Sequence, residues 1–224
     1  MANLPNRLIP LRSPALPLGP TEYSRQYQDQ LNSILRLYFS LIDNQSQALL
    51  TNVGGRFLAT PHGSFYDTET QSDGANTPNA VQLNSTFVDD TLGFAVANNA
   101  NGDPTRVTAE YPGIYNFQFS LQLENQDNSQ HEVAIWVRIN DEDVDSTSTL
   151  ITVPARKSAS IYGYAVAAWK FVLPMQAGDY FELIWATDST LVTIPATAAQ
   201  ISPYPRPAVP STILTVSFVS AIPA

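Results

Sequence analysis

Hydrophobic and polar positions change their spacing twice along the chain. Over residues 1–20 the apolar side chains Leu4, Leu8, Ile9, Leu11, Leu16 and Leu18 fall between Pro5, Pro10, Pro14, Pro17 and Pro20. Proline at that density removes backbone donors and blocks a helix, so this stretch reads as an extended arm with sticky side chains. From residue 21 the spacing becomes helical. Tyr27, Leu31, Ile34, Tyr38 and Leu41 recur at intervals of 4, 3, 4 and 3, a period of 3.5, and the register continues through Gln45 to Ala48. Thr21 after Pro20 is the expected N-cap, Glu22 belongs to the first turn, and Gly54-Gly55 follow the end, so a helix is predicted over about 22–50. Leu35, Phe39 and Ile42 widen the apolar seam beyond what a two-stranded zipper needs. Either several helices meet along it, or the helix also lies on a globular surface.

From Arg56 onward the period falls to two. Tyr115, Phe117, Phe119, Leu121 and Leu123 alternate with Asn116, Gln118, Ser120 and Gln122, which is the pattern of a strand with one buried and one wet face. Val133, Ile135, Val137 and Ile139 repeat it, as do Phe181, Leu183 and Trp185, and later Leu214, Val216 and Phe218. Further strands are predicted over 80–87, 92–97, 105–110, 148–153, 160–173 and 190–194. With turn signals such as Asn101-Gly102-Asp103-Pro104 between them, about ten antiparallel strands imply a mainly β sandwich or barrel. The organisation expected is therefore an arm over 1–20, a helix over 21–52 and a β-sandwich over 56–224.

Charge and composition narrow the chemistry. The 224 residues hold 11 basic and 20 acidic side chains, no cysteine and 17 prolines, and are 44% hydrophobic. Residues 1–50 carry four arginines against Glu22, Asp29 and Asp43, so the excess of −10 sits on the rest. That body repels nucleic acid and anionic membrane, and neither is expected as a partner. No 18-residue apolar run and no apolar signal segment follow Met1, so neither a spanning helix nor a secretory leader is expected. Without cysteine, disulfide scaffolds and thiol catalysis drop out.

Catalytic patterns are scarce. The two histidines are His62, read as part of a turn at Thr60-Pro61-His62-Gly63, and His131, read as a surface residue opening a strand. No glycine-rich phosphate loop occurs, and Asp89-Asp90, Glu110 and Glu182 are undistinguished as paired carboxylates. Asp141, Glu142, Asp143 and Asp145 could gather oxygens around Ca²⁺, but they lack the spacing and glycine of an EF-hand loop; a solvated hairpin turn explains them more simply. Trp136, Trp169, Tyr162 and Tyr164 are the aromatics on which a sugar could stack. No cofactor and no enzymatic activity is expected.

Tyr111-Pro112-Gly113-Ile114-Tyr115-Asn116-Phe117, the later Ala177-Gly178-Asp179-Tyr180-Phe181-Glu182-Leu183 and the terminal strand over 213–219 resemble, in sequence and in order, the heads of the complement and tumour-necrosis-factor ligand type. The wording over 158–169 and 177–185, with the Pro20 to Asp43 opening, is similar to jelly-roll modules of tailed-phage virion proteins of the marine and cyanophage kind. The resemblance implies a jelly roll of about ten strands that assembles as a homotrimer and brings no catalytic motif. It further implies a capsid decoration (cement) protein on the virion surface, assembled in the host cytoplasm and partnered by the major capsid protein. In this reading Leu4, Arg7, Leu8, Ile9, Leu11, Arg12, Leu16 and Leu18 contact the capsid, while Tyr27, Leu31, Ile34, Tyr38 and Leu41 form the trimer seam. The alternative is a tail or head fibre adaptor whose trimeric head binds a receptor or a host surface glycan; a carbohydrate-active sandwich enzyme is the third possibility.

Overall fold

A computed structural model describes residues 14–50, 60–87 and 91–222, with side chains described to residue 45 in the helix. Six of the arm residues, Leu4 to Arg12, lie outside the described residues, as do Asp89-Asp90 and the glycine pair after the helix. The chain divides into two compact units, one up to Ala59 and one from Thr60 onward.

The first unit holds one helix, α1 (Arg25–Leu50). It starts three residues later than the sequence predicts, because Ser24 and not Thr21 is the N-cap. The Ser24 hydroxyl accepts from the Tyr27 amide at 3.3 Å, the third helical position, and the Ser24 carbonyl takes the first intrahelical bond from Gln28 at 3.1 Å. Glu22 therefore precedes the helix, whose first turn holds no acid. The Tyr27 hydroxyl donates to the Pro17 carbonyl at 3.2 Å and ties the extended segment before the helix to its first turn.

The second unit is built from β1 (His62–Asp67), β2 (Gln71–Ser72), β3 (Asn79–Ala80), β4 (Ser85–Thr86), β5 (Phe94–Asn98), β6 (Pro104–Ala109), β7 (Gly113–Asn125), β8 (His131–Ile139), β9 (Glu142–Asp143), β10 (Thr149–Val153), β11 (Gly163–Met175), β12 (Tyr180–Thr187), β13 (Val192–Ile194) and β14 (Thr212–Ser220). They form two sheets whose pairs are all antiparallel. In one, the long β7 has β11 on one side and β14 with β13 on the other, followed by β1 and β4, with β2 beside β13. The other runs β10-β8-β12-β6-β5, with β3 on β12 and β9 on β8. The principal strands nest first with last: β1 pairs β14, β6 pairs β12, β7 pairs β11 and β8 pairs β10. That nesting is the jelly roll, a sandwich of two interlocked Greek keys.

The predicted alternation supplies the core. Tyr115, Phe117, Phe119, Leu121 and Leu123 of β7 are all buried, as are Val133, Ile135 and Val137 of β8 and Phe181, Leu183 and Trp185 of β12. Phe117 of one sheet stacks on Phe181 of the other with ring centroids 4.2 Å apart and planes 2° from parallel. Phe94 meets Tyr115 edge-on at 4.9 Å. Rings of this size bury large apolar areas and dominate the cohesion of the sandwich.

Two expectations shift here. The strand predicted over 80–87 shrinks to the short β3 and β4. Between them Val81 donates to Leu183 and Leu83 to Pro104, so the segment bridges β12 and β6 rather than forming a ladder, while Asn84 hydrogen-bonds back to Thr68. His62 is no turn residue: it opens β1, opposite Ser217, and its ring bonds the Thr60 carbonyl at 2.7 Å. The described residues of 56–104 thus belong to the jelly roll.

Candidate functional site

On α1, Tyr27, Leu31, Ile34 and Tyr38 lie on one half-buried stripe together with Leu35 and Ile42, whereas Leu41, at its edge, is 46% exposed. Leu37 and Phe39 are more exposed still. Helical spacing brings these side chains into a row, and in the single chain none of them is fully buried. Of the arm, Leu16 is 54% and Leu18 94% exposed.

On the jelly roll, β11 is an edge strand: among the described residues it pairs with β7 alone. Trp169 and Phe171 turn inward beside Phe119, with Trp169 edge-on at 4.7 Å. Tyr164, Val166 and Val172 occupy the alternate positions and are exposed. The aromatics singled out from sequence therefore do not form one sugar platform. Tyr164 and Trp169 lie on opposite faces of β11, Trp136 is half-buried on β8 in the other sheet, and Tyr162 is half-buried just before β11. Tyr66 and Phe87 do stack, at 4.2 Å, against small residues over 196–198 and 208–210, and line an apolar depression of about 290 Å³.

The acidic run folds into a hairpin and not into a cation cage. Ile139 pairs Glu142 across a two-residue loop, and its residues Asn140 and Asp141 have φ of 52° and 65°. Positive φ at both positions is the type I′ turn, whose twist matches the flanking strands. Asp141 is paired with Arg106 at 2.9 Å and Asp143 with Arg138 at 2.8 Å. The Arg138 hydrogen bond holds the Asp143 carboxyl below its ordinary range. Among the described residues no three metal-ligating side chains come together, so Asp141, Glu142, Asp143 and Asp145 are not assembled as a ligand set. Asn140 instead locks the hairpin tip to the next turn: its side chain donates to Asp179 at 2.7 Å and accepts from the Tyr180 amide at 3.0 Å. That second turn needs Gly178, the third of its four residues, at φ 90°.

Behind this hairpin lies a polar pocket of about 290 Å³ whose wall includes Asn79, Gln82, Arg106, Arg138, Asp141 and Glu182. Glu182 is the unusual member. Its residue is 3% exposed, yet it faces the pocket, with Oε1 accepting from the Thr105 hydroxyl at 2.5 Å and lying 3.6 Å from Arg106 Nε. The Arg106 guanidinium lies 4.2 Å over the Tyr180 ring. The Tyr180 phenol is pushed up to about 12, first by burial and then by its bond to Asp141, against the opposing charge of Arg106. A second, smaller polar hollow shares Asp73, Asn79, Ala80 and Gln82 and is floored by Trp185, so the two form one continuous groove. Sequence reasoning met Glu182 as undistinguished and Asp141 as a calcium candidate, and it missed Arg106, Asn79 and Gln82. They arrive from separate strands, so no linear spacing joins them.

His131 is also more than a surface residue at a strand start. Its Nε2 lies 2.8 Å from Asp127 and its Nδ1 2.9 Å from Asp188, so it clasps the loops that follow β7 and β12. Burial alone lowers the imidazole pKa, but the hydrogen bonds and charges of Asp127 and Asp188 outweigh it and raise the net value above 6.5. Among the described residues no serine or other nucleophile hydrogen-bonds this ring.

No protein-family profile matches the chain, and no curated protein matches it in sequence. Among solved structures it is similar to one described as Eiger TNF from S. frugiperda, at 9% identity and a TM-score of 0.46, over 74% of this chain and 96% of that one.

Proposed function

We propose that the chain is a trimeric virion structural protein of a tailed phage, a decoration or cement protein that docks on the capsid shell through its N-terminal arm and helix and displays the jelly roll outward. The observation that carries this reading is the apolar surface left open on both units: the stripe of α1 with Leu37 and Phe39 beside it, and the outward row Tyr164, Val166 and Val172 on the edge strand β11. Exposed apolar rows on an amphipathic helix and on a long edge strand are costly in an isolated chain and are covered by partners. Self-association into a closed ring gives each copy the same cover, and three arms on one trimer raise the effective concentration for the shell, so modest contacts per arm suffice. The major capsid protein is the partner on the shell, and the role is structural rather than enzymatic. Deleting residues 1–20 tests it: the shortened chain is expected to remain a folded trimer and to lose binding to purified capsids, and retained binding would overturn the arm's role.

The second reading, a tail or head fibre adaptor with a glycan-binding head, is favoured by one observation, the polar groove around Glu182.

A further inference from the structure

We infer that the groove around Glu182 is a binding site for a neutral saccharide. The inference deepens the receptor-binding reading and rests on it only for the biological source of the sugar.

A carboxylate buried as deeply as Glu182 is expensive unless its oxygens are used. Oε1 is used, by a hydrogen bond from Thr105 and an ion pair with Arg106, but Oε2 makes no hydrogen bond to any described residue, and Glu182 is part of the pocket wall. Arg106 Nε is closed off from solvent 3.6 Å from Oε1, so that contact is an ion pair without a hydrogen bond. Among the described residues the Gln82 side-chain amide forms no hydrogen bond, and Asn79 uses its amino group on the Thr77 carbonyl while its oxygen accepts none. These groups come from β3 and the segment after it, from β6 and from β12, and they converge on one concavity.

Their charge defines the ligand. The two guanidiniums are already balanced, Arg106 by Asp141 and Glu182 and Arg138 by Asp143. Asp73 and Asp103 add further negative charge to the wall, so the site repels phosphates and carboxylated sugars. It lacks the three-ligand cluster that would hold a cation among the described residues. What fits is a ligand with several hydroxyls, each able to donate one hydrogen bond and accept two, set against planar carboxylate and amide groups that engage adjacent hydroxyls in pairs. The continuation into the hollow floored by Trp185 gives room for more than one sugar unit.

The test is saturation-transfer NMR on the purified full chain with the methyl glycosides of glucose, galactose, mannose and N-acetylglucosamine, and with their β-linked disaccharides. At least one neutral sugar is expected to bind saturably and to weaken tenfold or more in both Glu182→Gln and Asn79→Ala, with Lys170→Ala on β11 binding as the parent does. Because Glu182 is buried, Asn79→Ala keeps the test decisive if Glu182→Gln fails to fold. Absence of saturable binding by any of these sugars overturns the inference. So does binding that neither variant weakens, or a site that takes N-acetylneuraminate, inorganic phosphate or Ca²⁺ instead. A chain that binds sugar but is missing from virions leaves this site standing and removes the fibre reading; a virion fibre that binds none of the sugars does the reverse.

Discussion

At the scale of single residues, the sharpest constraint is the glycine that opens β11. A Cβ built on Gly163 would stand 1.8 Å from the Pro154 carbonyl oxygen, a backbone atom that cannot swing aside. Gly163→Ala is therefore expected to destabilise by at least the upper end of the about 1–3 kcal/mol typical of overpacking, read as a drop in thermal midpoint; an unchanged midpoint would show that strands β10 and β11 part more easily than their spacing implies. Phe117→Ala removes one half of the stack that joins the sheets and is expected to cost about 3–5 kcal/mol in chemical denaturation. His131 supplies a pH dependence. Its raised pKa means that the folded state binds the proton more tightly than the unfolded chain does, so its stabilisation is fully present below the model-peptide value of 6.5 and is lost as pH rises through the folded value. Only the imidazolium donates from both nitrogens, one to Asp127 and one to Asp188. The Asp127 carboxyl is lowered, chiefly by its bond to His131, so its share of the stabilisation disappears instead as pH falls below the ordinary carboxylate range. His131→Gln should thus lower the thermal midpoint more at about pH 5.5 than at about pH 9; an equal loss at both would mean that the clasp acts through packing and not through charge.

Element by element, the sequence is most readable where one face of a strand is buried. The alternation around Phe117, Ile135 and Leu183 anticipates β7, β8 and β12, because burial of every second side chain leaves a period that survives in the linear text. It is least readable where backbone groups are satisfied across strands. The segment after β3 looks like a strand because Val81 and Leu83 are apolar and buried, yet their amides bond two different neighbours. Helix α1 is legible from its seam, but its start is set by a local competition between Thr21 and Ser24 that composition does not settle. Its seam also makes a clear prediction. With the stripe as the seam of the proposed trimer, replacing Leu31, Ile34 and Tyr38 together by Ala should lower the mass in light scattering while leaving the β-sheet signal in circular dichroism intact. A mass that does not change would assign the stripe to packing within one chain.

On the scale of the whole molecule, the nested pairing of β1 with β14 through β8 with β10 makes a jelly roll of the described residues from Thr60 onward, and a helical unit precedes it in the chain. The fold class follows from strand spacing and turn residues, which sequence carries. The candidate sugar site does not, since Asn79, Arg106 and Glu182 are brought together only by the side-by-side pairing of β3 and β6 with β12. The structural role proposed above would cover the apolar surface of each unit with a partner. The central claim, a decoration protein bound all over a shell, is tested most directly by the copy number of this chain relative to the major capsid protein, measured by quantitative mass spectrometry of purified particles. Near-parity is the result predicted; a few copies per particle, or none, would contradict it.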